Sequence, residues 1–107
     1  MKDIFLELNK TIDLRKHESP QSSYTAFLLD KGIEKCAQKF GEEAIEVIIA
    51  ANSRNDKNFK TEVADLLYHL LVLLKIKDTP LEDVLKVLSE RKGISGHEEK
   101  KSRPTDL

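Results

Sequence analysis

The chain has one cysteine, almost no net charge and no long apolar run, and each shortage removes a class of protein. A single cysteine, Cys36, in 107 residues excludes an internal disulfide and any multi-cysteine zinc site. It fits a reducing cytosol and reads as a small core residue. Eighteen basic against nineteen acidic side chains, 18 and 19 by count, leave no global commitment to nucleic acid or to a membrane surface, although local patches can still hold phosphate. The longest apolar run, Leu70 to Leu74, is far too short to span a bilayer. Asp3 and Glu7 interrupt the N-terminus too early for the apolar region of a signal peptide. Strand-type alternation, internal repeats and zinc-ligand spacings are also missing. These exclusions predict one small soluble, cytoplasmic domain with a single core.

What is present is helical periodicity. Ile4, Phe5, Leu8 and Ile12 recur at helical spacing and predict a first helix over residues 3–15. The segment from His17 to Ser23 breaks it, and Ser22 or Ser23 is placed to cap a short helix from Tyr24 to Asp30 that ends near Gly32. A long helix is expected from Ile33 to Ala51, weakened by roughly 1 kcal/mol at Gly41 relative to alanine. After the polar turn Asn52 to Asp56, another runs from Asp56 to Ile76 and becomes apolar on nearly every side from Val63 onward. Thr79, Pro80 and Glu82 have the form of a capping box, opening a last helix to about Arg91 whose core face would be Leu81, Val84, Leu85 and Leu88. Residues 1–92 then form an all-α domain, a four- to five-helix bundle, and 93–107 read as a mobile polar tail. Four long helices make a modest core, and the Leu66 to Leu74 stretch asks for more cover than they offer. A homodimer is the simplest completion.

The informative feature is acidic. Glu43 and Glu46 form one pair three residues apart, Glu62 and Asp65 a second, and Glu42 adds a further carboxylate. Residues at that spacing share one helix face, so each pair projects as a unit. Both pairs lie within apolar stretches, where clustered carboxylates repel each other and lose hydration. A lone pair of this kind is ordinarily a solvated helix face, with Lys39 able to neutralise Glu42 or Glu43. Two pairs on consecutive helices joined by a short turn can instead face one another across one groove. From Glu42 to Leu74 the only firm cations, Arg54, Lys57 and Lys60, cluster in or just after the connector. A hard divalent cation is the missing partner, and an all-carboxylate set favours Mg2+ or Mn2+ over zinc.

Upstream lies the complement. Arg15, Lys16, the hydroxyl-bearing Ser23, Tyr24 and Thr25, and then Lys35 and Lys39 precede the acids. Lys35 and Lys39 stand one turn apart on one face, as a clamp for polyphosphate oxygens requires. His69, one turn beyond Asp65, reads first as a satisfied core histidine and second as a hydrogen-bond partner of the acidic cluster. Tyr68 reads as packing.

Taken together, several stretches resemble the phosphoribosyl-ATP pyrophosphohydrolase family of histidine biosynthesis. They are Ser23 to Ala26 with Leu28 and Leu29, Gly32 to Lys35, Lys39 to Glu46, and Glu62 to Leu73, and the resemblance extends from Ile4 to Arg91. The acidic pattern alone belongs to the wider all-α NTP pyrophosphohydrolase (MazG-like) superfamily. The serine-tyrosine-threonine segment and the run Asp65-Leu66-Leu67-Tyr68-His69-Leu70 narrow it. Cys36 and Phe40 stand where other apolar residues are expected.

The resemblance implies a magnesium-dependent hydrolase that cleaves the α–β phosphoanhydride of 1-(5-phosphoribosyl)-ATP, yielding 1-(5-phosphoribosyl)-AMP and pyrophosphate. By analogy Glu43, Glu46, Glu62 and Asp65 carry the metal, and Glu42 is an auxiliary ligand or the base for the attacking water. In many members of that family the domain is fused to a cyclohydrolase with a cysteine-bound zinc; one cysteine in 107 residues leaves no room for that half, so the expectation is the stand-alone form. Two other readings stay open at this level. One is a housecleaning pyrophosphohydrolase acting on nucleoside triphosphates. The other is a non-catalytic helical dimerisation module.

Overall fold

A computed structural model describes residues 3–54 and 56–92, and all the regular structure in them is helical. Five helices follow in order: α1 Ile4–Arg15, α2 Tyr24–Lys31, α3 Ile33–Ala51, α4 Asp56–Ile76 and α5 Leu81–Glu90. The expected tail, 93–107, lies outside the described residues. No helix among the described residues is long and apolar enough to cross a membrane.

The helix ends follow from local chemistry. Ser23 caps α2, its Oγ accepting the Ala26 amide at 3.1 Å. Gly32 separates α2 from α3 at φ +93° and ψ −175°, a conformation essentially reserved for glycine. Asn52 closes α3, its Nδ2 donating to the Ile48 carbonyl at 2.8 Å. At the end of α4, Asp78 turns left-handed at φ +53°. The Thr79 amide then bonds the Leu74 carbonyl at 2.9 Å and the Asp78 amide bonds that of Lys75 at 3.0 Å, a Schellman closure.

That closure overturns one expectation. Thr79 does not cap α5: its hydroxyl turns back to the Lys77 carbonyl at 3.4 Å, and Pro80 occupies the N-cap position without a side-chain bond. A residue whose amide ends one helix is poorly placed to start the next.

The fold is centred on α3 and α4, which form its most extensive helix pairing. α1 and α2 pack against α4, and α2 also against α3. Ile12, Leu28, Cys36, Leu71, Val72 and Leu81 form the buried core, one or two from each helix. Cys36 is a core thiol as expected, donating to the Leu28 carbonyl at 3.3 Å, and burial raises its pKa. An ion pair absent from any sequence signal ties α1 to α4, with Lys75 Nζ 2.7 Å from Asp13 Oδ1.

Apolar surface is exposed in a different place from that expected. Within the Leu66 to Leu74 stretch Leu71 and Val72 are buried, and only Leu67 counts as exposed. Ile45, Ile48 and Ile49 of α3 are instead 57%, 61% and 60% exposed. In α5 only Leu81 is buried, whereas Leu85 and Leu88 of its expected core face are exposed.

Candidate metal centre and active site

On α3 the inward stripe is Cys36, Phe40, Ala44, Val47 and Ala50, buried or half-buried at helical spacing, and Glu43 falls on it. On α4 the corresponding stripe is Phe59, Val63, Leu66, His69 and Leu70, and Glu62 falls on that one. The two acids lie at comparable distances from the short connector, so pairing of α3 with α4 as an antiparallel hairpin brings them together. Asp65, one turn further along α4, joins them. One carboxylate oxygen from each of Glu43, Glu62 and Asp65 lies within 4.8 Å of the others.

The electrostatics record the crowding. The Glu62 carboxyl is held above its ordinary pKa, first by desolvation and then by the charges of Glu46, Asp65 and Glu43. Glu46 therefore belongs to the same field, although its own oxygens stand outside the close trio. Three carboxylate oxygen donors this near one another match what Mg2+ or Mn2+ requires, so the donor set fits such an ion.

Glu42, the neighbour of Glu43, points elsewhere. It is exposed, and its carboxylate receives Gln38 Nε2 at 2.9 Å and Lys39 Nζ at 3.2 Å. The Gln38 bond, followed by that from Lys39, holds its pKa below the usual value. Lys39 also stands 4.0 Å from Glu43, and its bond to Glu42 is the main reason its own pKa is raised. Lys35, one turn earlier, is half-buried and close enough for its charge to favour ionised Glu42. Gln38 escaped the sequence reading although its spacing of four from Glu42 could have revealed it.

A polar and aromatic cluster adjoins the acids. His69 is buried, and its Nδ1 lies 2.8 Å from the Asp65 backbone carbonyl. A carbonyl only accepts, so Nδ1 carries the proton, and Nε2 is left to accept from Tyr24 Oη at 3.4 Å. His69 is thus a satisfied core histidine bonded to the backbone of Asp65 rather than to its carboxylate. Tyr24 is half exposed, with Phe27 and Tyr68 stacked against it at centroid distances of 6.3 Å each. Thr25 and Tyr68 share a hydroxyl bond of 2.6 Å.

Among the remaining expected substrate contacts, Ser23 is buried and its oxygen is engaged as a helix cap. Arg15 pairs with Glu18 at 3.2 Å and Lys16 with Asp13 at 3.3 Å. Lys16 also lines a cavity of about 260 Å3 with Asn9, Lys75 and Thr79, and none of the trio lines it. Along α4, Lys75 is about 15 Å from Asp65 at helical rise, so Lys16 stands at the far end from the acids.

An all-helical hairpin core with converging carboxylates defines a class, that of helical proteins with an acidic cluster whose donors could hold a metal ion. Comparison with known proteins gives the member. The family model described as phosphoribosyl-ATP pyrophosphohydrolase matches residues 5–92. A phosphoribosyl-ATP pyrophosphatase of a Ruegeria species is 54% identical over 98 residues, covering 92% of this chain and 93% of the relative. That of Dinoroseobacter shibae is 52% identical over 100 residues, covering 94% and 98%. That of Hydrogenovibrio crunogenus is 46% identical over 105 residues, covering 94% and 93%. The chain belongs to the phosphoribosyl-ATP pyrophosphohydrolase family.

Proposed function

We propose that this chain hydrolyses 1-(5-phosphoribosyl)-ATP to 1-(5-phosphoribosyl)-AMP and pyrophosphate, a step of histidine biosynthesis, and that it does so with Mg2+ in the cytoplasm. The observation that carries the reading is the meeting of Glu43, Glu62 and Asp65 within 4.8 Å in a chain of this family. In the proposal Glu43, Glu62 and Asp65 hold the ion, and Glu46 adds charge from one turn away. When bound, such an ion would supply Lewis-acid neutralisation of phosphate charge. Manganese would satisfy the same donors.

The chain's own side chains do the rest. Lys39, and Lys35 one turn behind it, take phosphate oxygens that the ion does not reach. When phosphate draws Lys39 away, Glu42 is left as an ionised carboxylate able to orient the attacking water and accept its proton. Water adds to phosphorus, the bridging P–O bond breaks, and pyrophosphate leaves with the electron pair. Positioning and charge, not a covalent intermediate, lower the barrier. Tyr24, linked through His69 to the Asp65 backbone, and Arg15, Lys16, Ser23 and Thr25 remain proposed contacts for the outer parts of the substrate.

We place the catalytic unit in residues 1–92 and its working form as a homodimer. Turnover of phosphoribosyl-ATP against ATP and dUTP, each with Mg2+, tests the function. Strong preference for phosphoribosyl-ATP supports it. Equal or better turnover of dUTP or ATP would favour a housecleaning role instead.

A further inference from the structure

We propose that the exposed ring of Tyr24 is the platform that reads the N1-ribosylated base, and that it selects this substrate over ATP by the positive charge on that base. The inference rests on the function proposed above. Tyr24 is 49% exposed, yet its ring is not loose. Phe27 and Tyr68 stack beside it at interplanar angles of 20° each, and its hydroxyl is tied to His69 at 3.4 Å. A half-exposed aromatic ring held by its neighbours is pre-organised for a planar ligand at its exposed part, so little protein freedom is lost on binding.

The place is right for a base. Two hydrogen bonds, Tyr24 to His69 and His69 to the Asp65 carbonyl, separate the ring from an acid of the metal centre. Tyr24 is also within electrostatic reach of Lys39, the proposed phosphate ligand. A nucleotide whose phosphates lie over the trio can therefore set its base on this ring.

The chemistry of the base supplies the selectivity. A ribose on N1 converts the N1–C6–N6 edge of adenine into an amidine, a far stronger base that holds a proton around neutral pH. The unsubstituted adenine of ATP is neutral there. A delocalised planar cation over an aromatic face gains the attraction of the ring quadrupole as well as stacking. The stack already holds one cation, with the Lys31 ammonium 5.4 Å from the centroid of Phe27. Two lysines near the site would repel a cationic base, so the ring provides the attraction that offsets them.

The test compares KM for phosphoribosyl-ATP with Ki for ATP as a competing ligand in wild type, Tyr24→Phe, Tyr24→Trp and Tyr24→Leu. Loss of the ring in Tyr24→Leu should raise KM for phosphoribosyl-ATP on the order of tenfold and shrink its advantage over ATP by several-fold. Phenylalanine and tryptophan keep a π face and should preserve that advantage even where the lost hydroxyl lowers kcat. Circular dichroism and retained Mg2+ binding separate this from misfolding; if Tyr24→Leu does not fold, the Trp variant decides. An unchanged ratio in Tyr24→Leu, or a collapsed ratio in Tyr24→Trp, overturns the inference while wild-type turnover leaves the function standing. A wild-type protein inert toward phosphoribosyl-ATP overturns both.

Discussion

Glu62 sits where the physics of the site is most visible at the scale of single residues. Its pKa is raised by desolvation and by three neighbouring carboxylates. An acid whose folded pKa exceeds its unfolded value near 4.5 favours the protonated fold. Its penalty is absent below that value, develops as pH rises through the elevated folded pKa, and persists at neutral pH. Glu62→Gln should therefore melt higher than wild type in EDTA at pH 7, with the gap closing toward pH 4. Thermal denaturation across that range measures it, and a wild type that is the more stable at pH 7 would contradict the crowding.

Lys39 gives a second residue-level prediction. Lys39→Ala should lower kcat/KM about ten- to a hundredfold if the ammonium holds phosphate. Because it also competes for Glu43 at 4.0 Å, its loss should strengthen Mg2+ binding slightly. Steady-state kinetics paired with calorimetry tests both halves, and an unchanged kcat/KM would return Lys39 to the role of a surface charge. The sequence made the acids visible as a group. It set Glu43 apart from Glu42 but gave Glu46 the same standing as Glu43, and only the packing of α3 on α4 brings Glu43 into the close trio without Glu46.

Among the helices, punctuation residues made boundaries legible. Ser23 and Gly32 sit where the sequence implied, and α3 and α4 run over the expected residues. Gly32 adopts its positive φ with nothing within 4 Å of where a Cβ would stand. Gly32→Ala should thus lose about 1–3 kcal/mol through backbone strain alone, with no clash to relieve. Chemical denaturation reads that loss, and a neutral substitution would mean that the α2–α3 junction relaxes freely. The α5 start was misread for a specific reason: the Thr79-Pro80-Leu81-Glu82 pattern is local, whereas Thr79 is recruited by the closure of α4. Likewise the apolar spacing of α5 is genuine, but only Leu81 reaches the core.

For the molecule as a whole, exposed apolar surface is the open account. Ile45, Ile48 and Ile49 form one face of α3, and Glu42 and Glu46 each precede an isoleucine of it by three residues, so the patch borders the acids. A proposed second subunit covering that face would also bury the edge of the active site. Ile48→Glu should yield a folded 12.2 kDa monomer with weakened activity, whereas wild type sediments as a dimer. A wild-type monomer at micromolar concentration would contradict the assembly. Sequence signalled surplus apolar surface but assigned it to α4, since periodicity cannot tell which side of a helix its neighbours will cover.

The decisive comparison is of pyrophosphate release from phosphoribosyl-ATP by wild type and Asp65→Asn, each with and without Mg2+. Asp65 is exposed, so its substitution leaves the core intact while exchanging one anionic carboxylate of the trio for a neutral amide. The expected result is Mg2+-dependent release by wild type and a loss of at least about a hundredfold in the variant, with unchanged helicity. Near wild-type release by Asp65→Asn, or release that ignores Mg2+, would contradict it.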